Sequence, residues 1–475
     1  MSAPAVEIAS TKGRLPALPS LTGLRFIAAF AVFLLHSGFL VQLFPFSTSD
    51  ASKKLSDVVP LQLGATGVAF FFLLSGFIID WSYDSAKDTI RAFLRRRVFK
   101  IFPSHLITAL IVVVLLGFPL AELAGQIPNF LLIHTWSQDW GTSAELNSPS
   151  WSLCSEMLFY FLFPFLVPLV NRIRGRAIWW TIGILSGILL AIHLIIHFAY
   201  PPFDISSMTS MYPPLQKSPD ITWSGYDYSA AMSASPGMPM SPGSGGSSGT
   251  FTMPTSAWLS YQFPPTRLLE FFVGVMFCRL VKSGMWRNTN LGWPLVACAG
   301  AYALTYYVPM AFKTSIVMML PLAALIATYA ARDLRGIKGI YSSRLGVWLG
   351  DVSFAFYMVG YPVQLFLQRN IIAGHSWGFQ GYLFITALTF VIQLPLAAAL
   401  YHLVDKPIMR RWARKKTKAA PPSDTAKEVD ESAKETALSS VAAVSSTPSS
   451  AANPVPPTQL PDPNPSREIP TAMRP

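Results

Sequence analysis

LTGLRFIAAFAVFLLHSGF, residues 21–39, is an apolar run that carries two ionisable side chains, Arg25 and His36. An apolar helix needs about 20 residues to cross the hydrocarbon core of a bilayer. Within such a run a charged or titratable group is expensive, so Arg25 and His36 are candidates for function by their position alone. They stand eleven residues apart. At about 100° per residue this separation comes within about 20° of three full turns, so both lie on one stripe of a helix, about 16 Å apart along its axis, and one common cavity is expected to hold them.

The rest of the chain extends this reading. Of 475 residues, 52% are hydrophobic and 13% charged, and the mean hydropathy is +0.41. A water-soluble domain of this size does not show such a balance. Apolar runs recur at about 21–41, 63–82, 101–118, 151–170, 177–199, 262–281, 291–309, 314–331, 346–367 and 381–404. The fold class expected is an all-α polytopic membrane protein with about ten transmembrane helices. The stretch Ile127–Trp136 is too short to span and reads as an interfacial or re-entrant piece.

The net charge of +12 does not point to nucleic acid, because the basic residues fall in alternate loops. Lys12 and Arg14 precede the first run. Arg91, Arg95, Arg96, Arg97 and Lys100 precede the third, and Arg172, Arg174 and Arg176 follow the fourth. Further clusters surround Lys282, Arg332 and Arg410, while the opposite loops hold little more than Lys53, Lys54, Lys217, Lys313 and Arg369. Such a bias orients helices with the basic loops in the cytoplasm, so both termini are expected inside. No small-residue cleavage pattern follows the first run, which is read as a retained anchor. Cys154, Cys278 and Cys298 all fall in expected spans, so no disulfide framework is expected.

Three regions follow: a cytoplasmic leader at 1–20, a membrane core at 21–412 and a tail at 413–475. The tail is rich in Ala, Ser, Pro and mixed charge and reads as disordered. Within the core, residues 200–257 form an external loop rich in Met, Pro, Ser and Gly, a composition that buries too little apolar surface to order itself. Its methionines, Met208, Met211, Met232, Met238 and Met240, are soft-metal ligands in principle, but no His or Cys stands beside them, and no metal is expected. Trp223, Tyr226 and Tyr228 offer stacking surfaces for a sugar. No internal repeat is evident, which argues against a transporter or flippase for a lipid-linked saccharide, the principal rival class.

Other polar residues in the core fall in short motifs. His36 has the right chemistry to take a proton from a hydroxyl, and a helix histidine bonded to a nearby carbonyl is the structural alternative. SPSWSLCSEMLFYFLFP at 148–164 places Glu156 about 8 Å below the outer end of the fourth run, comparable in depth to His36. A buried carboxylate needs a partner, so a Glu156–His36 pair is expected, with Trp151 and Ser152 lining the same pocket. Cys154 there reads as a small buried residue rather than an acyl-carrying thiol.

FFFLLSGFIIDWSY at 70–83 sets Ser75 and Gly76 among bulky residues, where another backbone or a ligand can approach closely. RAFLRRRVFKIFP at 91–103 is cationic and would attract phosphate, though charges that set topology look the same. In FPPTRLLEFFVGV at 263–275, Arg267 and Glu270 share a helix face and are expected to pair, holding an acceptor or shaping the pocket.

Together these motifs resemble the acyltransferase-3 family of integral-membrane O-acyltransferases. TGLRFIAAFAVFLLH looks like its Arg-x10-His signature, FFLLSGF like its Ser-Gly-Phe motif and WSLCSEMLFYFLFP like its Trp-Ser-Leu-x-x-Glu block. FPPTRLLEFFVG, LGDVSFAFYMVGYPV and YHLVDKPIMRR continue the resemblance in family order over about residues 20–412.

The resemblance implies an acyl-coenzyme A donor, most often acetyl-CoA, and an extracytoplasmic acceptor such as an envelope glycolipid or polysaccharide. It implies a place in the bacterial cytoplasmic (inner) membrane among membrane lipids, His36 as catalytic base and Arg25 at the donor. Arg97, Lys100, Ser75 and Gly76 are then donor-site candidates, and Trp151, Ser152, Arg267 and Glu270 acceptor-site candidates. A weaker likeness of the first run and the tail is to family members acting on trehalose mycolate glycolipids or on macrolides. Three positions depart from the family: Lys100 where a second arginine is common, Gly360 where a histidine is common, and Asp405-Lys406-Pro407 in place of Glu-x-Pro. Lysine lacks the bidentate grip of arginine on phosphate, so the grip at Lys100 is the weaker one.

Overall fold

The computed structural model describes residues 15–42, 61–84, 88–117, 120–138, 146–202, 253–367, 370–371 and 379–412. The leader to residue 14, the Met-rich stretch 203–252 and the tail from 413 lie outside the described residues, as do the readings made on them.

Helices lie over all ten apolar runs: α1 (Pro19–Gln42), α2 (Leu61–Ser82), α3 (Ile90–Leu116), α4 (Trp151–Arg172), α5 (Ala177–Ala199), α6 (Pro264–Lys282), α7 (Gly292–Leu304), α8 (Ile316–Leu334), α9 (Arg344–Leu367) and α10 (Phe379–Leu400). No strand occurs among the described residues. Seven of the ten, α1–α5, α8 and α10, are long and apolar enough to cross a membrane. The expected ten is therefore met in helices but not in spans judged by length and apolarity. The remaining helices are less apolar or shorter: α6 carries Arg267, Glu270, Arg279 and Lys282, α7 has 13 residues, and α9 includes Arg344 and Asp351. Ile127–Trp136, expected to be too short to span, contains a four-residue helix at Ile127–Phe130 and a 3-10 turn at His134–Trp136.

Local chemistry sets several helix ends. Thr89 caps α3 by accepting from the Ala92 amide at 3.2 Å, and Gly117 closes it in the left-handed region at φ +64°, where a side chain would be strained. The start of α1 is capped from a distant element. Asp333 on α8 accepts from the Ser20 amide at 2.9 Å and from its hydroxyl at 2.6 Å. An amide left without an acceptor in an apolar medium is costly, so this carboxylate fixes where α1 begins.

The central helices touch backbone to backbone. α2 packs between α1 and α6, and α1 also packs along α9. A β-carbon at Gly76 would sit 1.9 Å from the Phe271 carbonyl oxygen, one at Gly274 would sit 2.0 Å from that of Leu73, and one at Gly350 would sit 1.8 Å from that of Thr22. Only glycine fits at these crossings. Between lipid-soluble helices such close packing replaces the hydrophobic drive that water would supply. α5 and α7 instead turn apolar side chains outward, with Trp180 74%, Phe198 81% and Val296 72% exposed, as lipid-facing helices do.

One end of the bundle is tied by charge. Arg279 on α6 donates to Asp80 on α2 at 2.6 and 2.9 Å and to Asn171 on α4 at 2.8 Å. Lys282 adds a contact to Asp80 at 3.0 Å. The ends of α2, α4 and α6 therefore lie together. The start of α1 joins them, because Trp81 donates to the Pro16 carbonyl at 3.0 Å. This grouping is what alternating helix direction requires.

Candidate functional site

The basic run of α3 divides into residues with different partners. Arg91 and Arg95 are exposed, and Arg96 pairs with Asp88 at 2.9 Å. Arg97 and Lys100, three apart and so on one helix face, turn inward. They meet Arg25 of α1 on the wall of a cavity enclosing about 780 Å³, mouth included. Ser75 of α2, Ser152, Glu156 and Tyr160 of α4, and Tyr357 of α9 complete its polar lining, with Phe71 and Phe72 among its apolar walls.

Charge in this cavity is unequal. On its wall Arg25, Arg97 and Lys100 stand with one carboxylate, Glu156, while Asp351 faces Arg25 from outside the lining. Lys100 feels Arg25 and Arg97 as like charges, with Glu156 and Asp405 opposing them. Asp405 is held by the Ser104 hydroxyl at 2.6 Å and lies in a π-helical turn, Tyr401–Asp405, that follows α10. The Arg97 guanidinium stacks over Phe93 and Tyr160 at 5.2 and 5.4 Å from their ring centres. Tyr160 donates to Glu156 at 2.6 Å and is 3.3 Å from Ser75.

His36 lines a second, smaller cavity of about 240 Å³, mouth included, with Phe33, Gly360, Gln364 and Gln393. Tyr357 borders both cavities. Its hydroxyl donates to the Pro149 carbonyl at 2.6 Å and lies 3.0 Å from Ser152 Oγ. The expectation of one cavity holding both Arg25 and His36 is thus corrected to two cavities that share a tyrosine wall.

The expected Glu156–His36 pair is corrected too. Among the described residues no hydrogen bond joins them, and the phenol of Tyr160 takes the carboxylate. Depth along a helix says nothing of rotation about its axis. Glu156 faces α3, whereas His36 faces α9 and α10.

Other candidates separate cleanly. Gly76 is not on the cavity wall; it serves the α2–α6 crossing, while its neighbour Ser75 does line the cavity. Trp151 lies behind the wall, 4.5 Å from the Tyr261 ring. Arg267 and Glu270 pair as expected, at 3.1 Å and fully buried. Glu270 also accepts from Ser315, and the Arg267 guanidinium lies 5.1 Å from the centre of the Phe72 ring, one of the cavity walls. The pair therefore braces the cavity from behind. Cys154 is buried with its sulfur 3.4 Å from His134 Nδ1 and off both cavity walls. Among the described residues no group of three or more His, Cys, Asp or Glu side chains could hold a metal ion.

Truncating one member of a buried ion pair strands the other, at a cost of about 3–5 kcal/mol. Arg267→Ala should therefore lower the detergent-solubilised melting temperature markedly, whereas the double replacement Arg267→Met with Glu270→Leu should recover most of the loss. A single variant that melts like the parent would show that the pair is not the brace.

Tyr160, Tyr357, Gln364 and Gln393 line the cavities without having been candidates from the sequence. For Tyr160 a signal existed, since it stands four residues after Glu156 on the same face. Tyr357 lies inside the motif LGDVSFAFYMVGYPV, where a tyrosine among apolar residues reads as packing. The glutamines carried no signal, because an amide in an apolar helix reads as a packing contact.

A multi-pass helical membrane protein with a cation-lined cavity inside its bundle is the class that fold and site define. A family model described as an acyltransferase domain matches residues 18–402. The acyltransferase MdmB of Streptomyces mycarofaciens is 31% identical over 421 residues, which cover 86% of this chain and 96% of that protein. The O-acetyltransferase OatA of Staphylococcus aureus is 27% identical over 202 residues, covering 38% of this chain and 30% of that protein. No solved structure matches the chain. The chain belongs to this acyltransferase family and is an enzyme that transfers acyl groups.

Proposed function

We propose that this chain is an O-acyltransferase of the bacterial cytoplasmic membrane, taking an acyl group, first of all acetyl, from a coenzyme A thioester to a hydroxyl of an envelope glycolipid or polysaccharide. The observation that carries this reading is the convergence of Arg25, Arg97 and Lys100 on one cavity with a single carboxylate on its wall. A half-buried wall with three cations and one carboxylate favours an anion, and a phosphate-bearing donor supplies one. All ten helices span in this reading, the core runs from 21 to 412, and both termini face the cytoplasm. The basic residues of α3 then sit at the cytoplasmic side, where coenzyme A is found.

His36 lies beyond Tyr357 on the same helix as Arg25, and in this reading it faces the outer side. It takes the proton of the acceptor hydroxyl as that oxygen bonds to the thioester carbonyl carbon. The carbon–sulfur bond breaks, and the coenzyme A thiolate takes up a proton and leaves as the thiol. Arg97 and Lys100 hold donor phosphate, Glu156 and Tyr160 keep the guanidinium of Arg97 in place, and Ser152 and Tyr357 border the path of the acyl group.

Full-length protein in proteoliposomes with labelled acetyl-CoA and an alkyl glucoside tests this. Removing a charge-assisted contact weakens binding by about 10- to 100-fold, so Arg25→Ala and Arg97→Ala should raise the donor KM by that factor while the glucoside KM stays near the parent value. An unchanged donor KM in both variants would sink the donor assignment.

A further inference from the structure

The smaller cavity contains polar groups that the transfer step does not use. Gln364 on α9 and Gln393 on α10 line it, 5% and 1% exposed. The Gln393 amide nitrogen donates to the Phe356 carbonyl at 2.7 Å. A carbonyl oxygen only accepts, so this amide has one permitted orientation, and its Oε1 is left buried with no donor among the described residues. The Gln364 nitrogen lies 3.3 Å from the Ser37 hydroxyl, a partner that either end of the amide can take, and with the nitrogen there its Oε1 is buried without a donor. A β-carbon at Gly360 would stand 2.9 Å from the Gln393 nitrogen, so the missing side chain there gives the amide room to reach Phe356.

Two buried amide oxygens beside an imidazole make a site that accepts hydrogen bonds and offers few. Its complement is a group rich in hydroxyls. We infer that Gln393 and Gln364 form the acceptor subsite, each oxygen taking a hydrogen bond from a hydroxyl of a saccharide and presenting a neighbouring hydroxyl to His36. The inference deepens the acyl-transfer reading and rests on it for the role of His36. Closed space between these groups is about water-sized, so the subsite takes single hydroxyl groups at its mouth rather than a whole ring or a glycan chain.

The test uses full-length protein in lipid nanodiscs with labelled hexyl β-D-glucoside as probe, empty nanodiscs correcting for partition into lipid. Saturable binding is expected for the parent. Gln393→Leu and Gln364→Leu should each weaken it at least tenfold, with coenzyme A binding unchanged and the glucoside KM rising in step. Gly360→Ala, which crowds the Gln393 amide while leaving it present, should weaken binding in the same direction. Absence of saturable binding in the parent, parental affinity in both leucine variants, or a parallel loss of coenzyme A binding would each overturn the subsite. Should glutamine-dependent glucoside binding be found in protein that moves no acetyl from acetyl-CoA, the transfer reading fails and the saccharide subsite stands.

Discussion

His36→Ala is expected to lower acyl transfer by about 10²- to 10⁴-fold, the range a positioned general base contributes. The variant should still reach the membrane in parental amount. His36 is half-buried on a cavity wall and makes no hydrogen bond among the described residues, so its removal deprives no packed neighbour of a partner. Donor affinity should also survive, because the cations proposed to hold phosphate line the other cavity. The measurement is labelled acetyl incorporation per mole of protein, alongside coenzyme A binding. Turnover within a few-fold of the parent would remove the base from the mechanism. Loss of coenzyme A binding would mean that the two cavities act as one.

The second large effect concerns folding. Gly76→Leu should abolish correctly folded protein, because any β-carbon at that position overlaps the Phe271 carbonyl oxygen at 1.9 Å. The obstacle is backbone, which cannot swing aside as a side chain can. α2 and α6 would have to separate along their length, and the Asp80–Arg279 tie and the cavity wall at Phe72 would go with them. Leucine at Gly183 or Gly187 on α5, where a β-carbon meets nothing within 4 Å, is the matched control and should be tolerated. Size-exclusion profiles of fluorescent fusions report both. A monodisperse Gly76→Leu peak of parental height would contradict the close-crossing argument.

Hydropathy was enough to locate the helices, because spanning a bilayer demands long apolar runs and few other contexts do. The family resemblance singled out Arg97 and Lys100, and spacing was enough to pair Arg267 with Glu270 on α6, since that depends only on helical period. What could not be read was rotation of one helix about its axis relative to another. Glu156 and His36, expected at similar depths, face different neighbours, and nothing within either helix encodes that. It is set by crossings such as Gly350 against Thr22, which involve residues more than three hundred positions apart. The hydroxyl-facing glutamines were hidden for another reason: their significance comes from what their nitrogens already bond, and that partner lies on a neighbouring helix or elsewhere on the bundle.

Tyr357 stands where the two chambers meet, its phenol tethered to Pro149. On the proposed reading, the substrates arrive from opposite faces of an energised membrane. A continuous wet passage between them would let protons and sodium run down their gradients and discharge the cell. One tethered ring between two small rooms lets a two-carbon fragment change hands across it while hydrated ions, which cannot shed their water in so narrow a place, stay on their own side.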